Sequence, residues 1–126
     1  KEYRRQRQMC IRDRRHAEVY RSSFAISVCP SENVESPTIV GAQAANELLN
    51  IIGIKASFVL TEYNDKIYIS SRSIDEINVQ IIMEKLGGGG HLNVAGAQLE
   101  GVTIVQAKRM IQDTLDEMLK EGDIEE

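Results

Sequence analysis

Four consecutive glycines closed by a histidine, Gly87-Gly88-Gly89-Gly90-His91, are the residues of this chain best suited to chemistry. A backbone without Cβ atoms lets N–H groups converge on a phosphate or carboxylate, and the imidazole ends the run with a titratable donor. Each glycine loses maximal backbone entropy on ordering, so the run is expected to be a loop rather than helix or strand. A plain linker would mix in Ser, Thr or charged residues and lack apolar periodicity on both flanks. A second constellation, Ser70-Ser71-Arg72-Ser73, offers a guanidinium fork for bidentate bonds to phosphate, with hydroxyls beside it as further donors. The two could converge on one anion. His91 is open to three roles: general acid, donor to a phosphate oxygen, or structural histidine. Arg72 reads equally well as a surface charge at a strand end.

The elements that must position these groups follow from periodicity. Phe24–Cys29 is a short apolar run suited to a buried strand, and residues 30–36 form a polar loop. Ser36-Pro37 gives a helix start, serine as N-cap and proline at the first helical position. Val40, Ala44, Leu48, Ile51 and Ile52 recur at helical spacing, and Gly53 suits the C′ position. Segments 56–63 and 66–70 alternate around Asn64-Asp65, which predicts a β-hairpin. Ser73 with Glu76 fits a capping box for a helix over 77–86, its apolar stripe being Ile77, Ile81, Ile82 and Leu86. That helix would be about 15 Å long, so the glycine loop starts at its far end from Arg72 and only the fold can reunite them. A strand is expected near 97–99. Thr103 with Gln106 is a second capping box, opening a helix with Ile104, Ala107, Ile111, Leu115, Met118 and Leu119 on one face and Gly122 at its end. The order β-α-β-β-α-loop-β-α predicts an α+β domain with helices packed on a small mixed sheet.

Composition narrows the classes. With 126 residues, 42% hydrophobic and 27% charged, the chain is one ordinary globular domain. Its apolar runs are too short for a membrane span and no signal peptide is visible. Cys10 and Cys29 share no metal-ligand spacing and read as reduced thiols of a cytoplasmic protein. His91 has only His16 as a histidine companion and no acidic residue at ligand spacing, so no metal site is expected. No nucleophile elbow, Walker loop or dinucleotide fingerprint is present. The absence of tryptophan and the scarcity of aromatics disfavour a base-stacking platform.

The net charge of −4 hides an asymmetry: residues 1–21 are rich in arginine, and the tail from Asp113 is mostly acidic, a solvated face. Residues 9–14, Met-Cys-Ile-Arg-Asp-Arg, look like a translated sequencing-adapter remnant. Residues 1–15 therefore carry no functional weight, and the domain is expected to span 16–126. On the residues alone, the chain reads as a phosphate-binding module without a catalytic engine.

Ser71-Arg72-Ser73, Asn78-Val79-Gln80 and the Gly87–His91 motif followed by Ala95 resemble the DHH-associated, substrate-binding domain of DHH-family phosphoesterases. The stretch 67–99 is most similar to GdpP-type cyclic-di-AMP phosphodiesterases, and the likeness runs from about His16 to Leu119. The resemblance implies a preceding DHH domain holding two manganese ions, with this domain closing over the substrate. It assigns substrate binding to Arg72, Ser71, Ser73, Gly87, Gly88, Gly89, Gly90 and His91, with His91 also an assisting residue. The Asp-His-His metal motif is absent, so the isolated chain is expected to be inactive. The implied ligand is a cyclic dinucleotide or short oligonucleotide, the implied partner the DHH domain, and a homodimer is compatible with it. The implied location is cytoplasmic, some members being membrane-anchored through upstream segments. Three alternatives stand beside this: the same half of an oligoribonuclease or pAp phosphatase, a nucleic-acid-binding appendage, or a structural dimerisation domain. Acidity outside the N-terminal stretch disfavours duplex or tRNA binding, which needs a basic face.

Overall fold

The computed structural model describes residues 18–122 apart from 22, 30–36, 52, 64, 75 and 76, with backbone alone for 29 and 37–40. Six strands form one mixed sheet: β1 (Glu18–Tyr20), β2 (Phe24–Cys29), β3 (Ala56–Tyr63), β4 (Lys66–Ser73), β5 (Gly89–Gly90) and β6 (Val94–Glu100). Their order is β1-β2-β3-β4-β6-β5. Three helices complete the α+β domain: α1 (Pro37–Leu48), α2 (Val79–Lys85) and α3 (Ile104–Glu121). β2 and β3 run parallel, which requires the crossover that α1 supplies; every other neighbouring pair is antiparallel.

The sheet is covered on both faces, which explains why the first six residues of β3 are all buried. Phe58 and Leu60 join the main core beneath α2 and α3, with Phe24, Ile26, Ile67 and Ile69. Val59 faces the other way, into a small core with Ala44, Ala45 and Leu48 of α1. Ser57, buried on that side, donates its hydroxyl to the Ala45 carbonyl at 2.6 Å and ties α1 to β3. At the hairpin, Tyr63 pairs with Lys66, and Asp65 takes the positive φ (64°) that a two-residue turn demands.

α3 matches its sequence signature. Thr103 and Gln106 form the reciprocal capping box, Gly122 ends the helix at φ 81°, and Ala107, Ile111, Leu115 and Met118 are buried. Thr103→Ala removes one half of that box and should lower stability by about 1 kcal/mol, read as a shifted urea midpoint with unchanged m.

β1 was not foreseen, because three residues with a single valine carry no readable period. Tertiary bonds hold it. The Tyr20 hydroxyl donates to both carboxylate oxygens of Asp116 on α3, at 2.7 and 2.8 Å, and Arg21 Nε donates to Oδ1. The Tyr20 bond, then Arg21, holds the Asp116 carboxyl below its ordinary range, and the same contact raises the Tyr20 phenol.

Other boundaries move. β4 continues to Ser73, so Ser73 is strand rather than cap; the α2 cap is Asn78, whose side chain accepts from Gln80 N at 3.0 Å and Ile81 N at 3.4 Å. α2 is therefore shorter than 77–86, and Ile81 is 40% exposed while Val79, Ile82 and Met83 are buried. α1 stops at Leu48, leaving Gly53 (φ 91°) in a later turn rather than at its C′ position. β6 begins at Val94, ahead of the 97–99 expected. The Ser36 cap, Glu76, Ile52, Asn64, the Cys10 and Cys29 thiols, residues 1–15 and the end of the acidic tail lie outside what the structure describes.

Candidate anion-binding site

Strand register reunites the two constellations that helix length had separated. Arg72 on β4 pairs with Val94 on β6, and β6 pairs in turn with the glycine strand β5, Gly89 opposite Gly96 and Gly90 opposite Ala95. The result is a cleft of about 570 Å³. Its lining includes Arg72, Ser70 and Tyr68 of β4, Gly87 through His91, Val94 and Gln98 of β6, and Ala42 of α1. The cleft lies over β4 and β6, on the face that α1 covers only as far as β4. α1 borders one side and the glycine strand the other.

Arg72 is the group that gives this cleft its chemistry. Its guanidinium is about half buried, and that desolvation alone lowers its pKa. Nη1 donates to the Ser71 carbonyl at 2.7 Å. Among the described residues no carboxylate pairs with it, and only one of its five N–H donors is used within the protein. His91 sits at the rim with its side chain exposed, and its own N–H closes the β5–β6 turn onto Val94 O at 2.7 Å.

Ser71 and Ser73 project to the opposite face, because alternate residues of a strand do. Both are buried and already bonded: Ser71 Oγ donates to Ala95 O at 2.9 Å, and Ser73 Oγ to Ile77 O at 2.6 Å. Asn93 Nδ2 adds a bond to Ser73 Oγ, while Ser73 N donates to Asn93 O and Val79 N to Leu92 O. These bonds staple the turn after the glycines to β4 and α2. The serines beside Arg72 thus set the shape of the site; Ser70 is the one on the Arg72 face.

The glycine run corrects an expectation. Gly89 and Gly90 form a strand, against the reading that such a run stays a loop. Close approach is the reason: a Cβ on Gly88 would lie 2.1 Å from Gly96 O, and one on Gly90 2.5 Å from Ala95 Cα. The amides are also less free than a phosphate cradle requires. Gly87 N and Gly88 N donate to Glu84 O and Met83 O, ending α2, so Gly89 and Gly90 are the glycines left to meet a ligand. Consecutive N–H groups of an edge strand point to opposite sides, so one of these two faces away from β6.

Sequence reasoning missed Tyr68, Gln98, Ala42 and Gly96. Only the cross-strand register, which places Tyr68 opposite Gln98 and Ser70 opposite Gly96, could have found them.

Residues 22–121 match the DHHA1 domain family. The chain belongs to that family. Over 100 residues this DHHA1 domain is 47% identical to the cyclic-di-AMP phosphodiesterase PdeA of Listeria monocytogenes, covering 79% of this chain and 15% of that protein. It is 41% identical over 92 residues to the cyclic-di-AMP phosphodiesterase GdpP of Geobacillus thermodenitrificans, covering 72% and 14%. The chain therefore spans a small part of the length of these relatives. An exopolyphosphatase-related protein from Bacteroides fragilis shares the fold, with a TM-score of 0.78 at 21% identity over 94% of this chain and 35% of that one.

Among the described residues of the DHHA1 domain, no three His, Cys, Asp or Glu side chains group as metal ligands. No helix of the described residues is long and apolar enough to cross a membrane.

Proposed function

We propose that this chain is the substrate-binding domain of a manganese-dependent phosphodiesterase that opens cyclic di-AMP to linear 5′-pApA. The observation that carries the reading is Arg72: a half-buried guanidinium, unpaired by any described carboxylate, beside the glycine strand and His91 in one cleft. Burying a charge without a counter-ion is unfavourable unless a ligand supplies one. Phosphate supplies it. Arg72 neutralises the phosphate, His91 donates to its oxygens from the rim, the glycine strand keeps that side of the cleft open to the ligand, and Ser71 and Ser73 keep the turn in place. On this reading bond cleavage is the work of a DHH metal domain that holds the manganese. This chain holds the substrate and does not turn it over alone. The high identity to two cyclic-di-AMP phosphodiesterases supports the choice of nucleotide.

An amide NMR titration of the chain with cyclic di-AMP and with pApA, without metal, tests the reading. Selective shifts are expected at Arg72, Gly89, Gly90 and His91. Arg72→Ala should weaken binding by about tenfold or more, the worth of charge-assisted hydrogen bonds, with the melting temperature nearly unchanged. Unchanged affinity in that variant, or a melting temperature that falls in step with it, would assign Arg72 to structure instead.

A further inference from the structure

The face of the sheet that carries Arg72 presents a ladder of directly opposed pairs. Arg72 faces Val94, Ser70 faces Gly96, Tyr68 faces Gln98 and Lys66 faces Glu100. Alternate residues of a strand share a face, so all eight lie on one side. The first three pairs line the cleft, and Lys66 Nζ meets Glu100 Oε1 at 3.4 Å just past its end.

The middle step is nearly bare. Ser70 is small and Gly96 has no side chain; a Cβ there would lie 2.8 Å from Ile69 O. On one side α1 comes so close that a Cβ on Gly41 would meet Ser70 Oγ at 2.7 Å, and Ala42 lines the cleft. From Arg72 to Tyr68 is four residues of strand, roughly 13 Å. That is the span of a nucleotide from its phosphate to the far edge of its base. An aromatic ring and a carboxamide stand at the end where the base would arrive.

We infer that the Tyr68–Gln98 end of the cleft is a base-reading slot for an adenine nucleotide whose phosphate rests on Arg72. Tyr68 supplies a ring face for stacking, which every base accepts. Gln98 supplies discrimination, because a carboxamide pairs its acceptor and donor with the N6 amino group and N7 of adenine. Guanine offers two acceptors on the same edge and leaves the Gln98 oxygen without a donor. A chain with few aromatics builds no stacking platform, but one ring opposite one amide suffices for a single base. The slot rests on the anion-site reading above, and it can fail while that reading stands.

The test titrates the full chain with AMP, GMP and ribose 5-phosphate, in wild type and in Arg72→Ala, Tyr68→Leu, Tyr68→Phe and Gln98→Ala. AMP should bind about tenfold or more tighter than ribose 5-phosphate, the worth of one stacked base. Tyr68→Leu should erase that advantage while leaving ribose 5-phosphate unchanged, and Tyr68→Phe should keep it. Gln98→Ala should bring AMP and GMP together. Arg72→Ala should weaken all three ligands. If Arg72→Ala does so but Tyr68→Leu leaves AMP unchanged, the slot is overturned and the anion site stands. If Arg72→Ala alters none of them, the anion site falls and the slot with it. A Tyr68→Leu loss shared equally by ribose 5-phosphate, or one that Tyr68→Phe also shows, overturns the stacking role.

Discussion

Gly88→Ala should lower the stability of the domain by about 3 kcal/mol, whereas Gly89→Ala should stay within about 1 kcal/mol of wild type. The two positions are neighbours in a run of identical residues, so composition predicts no difference between them. The structure does. A methyl group on Gly88 would be driven to 2.1 Å from Gly96 O and 2.6 Å from Ala97 Cα, both backbone atoms of β6 that cannot rotate away. Relief requires the glycine strand to lift from β6, which would break the Gly89–Gly96 and Gly90–Ala95 pairing and loosen the α2 end held by Gly88 N on Met83 O. A Cβ on Gly89 meets nothing within 4 Å, and its φ is not among the positive ones. Urea midpoints of the two variants at unchanged m give the comparison directly. Equal midpoints would mean that the run is a mobile loop after all.

That comparison also marks how far the sequence could be read. The helix–strand order was legible wherever one face of an element is apolar, as along α3, where Ala107, Ile111, Leu115 and Met118 repeat at helical spacing. It failed for β1, whose place depends on Tyr20 and Arg21 reaching Asp116 nearly a hundred residues away. It failed again for β5, because glycine carries no strand pattern and the pairing is imposed by β6. Residue types announced the site more clearly than its inner geometry. Chemistry alone brings forward Arg72 and the glycines, which line one cleft, yet the direction of each serine turned on where β4 ends. With β4 reaching Ser73, alternation puts Ser71 and Ser73 against Ala95 O and Ile77 O and leaves Ser70 beside Arg72. The register of β4 on β6 is a long-range fact that no local window contains. Tyr68 and Gln98 entered the site through it.

Gly89→Val should weaken cyclic di-AMP binding by about a hundredfold or more while the domain stays folded. Residues directly opposed in an antiparallel ladder project to the same side, so Gly89 shares the face of Gly96 and Ser70, the floor of the cleft. A valine there is comfortable in a strand and meets no protein atom at Cβ. Its methyl groups occupy space over the cleft floor that the glycine strand otherwise leaves to the ligand. Overpacking a fitted contact costs about 1–3 kcal/mol, occasionally more, and a hundredfold sits at the upper end of that range. The defect is steric, and salt separates it from the loss of a charge. Arg72→Ala should flatten the dependence of affinity on ionic strength, whereas Gly89→Val should lower affinity at every salt concentration and leave the slope intact. Calorimetric titrations at several salt concentrations, with melting curves alongside, read both effects. Wild-type affinity in Gly89→Val would remove the glycine strand from the site and leave Arg72 as a lone anchor. A flattened slope in Gly89→Val would instead mean that the substitution acts by displacing Arg72, through the β5–β6–β4 register that joins them.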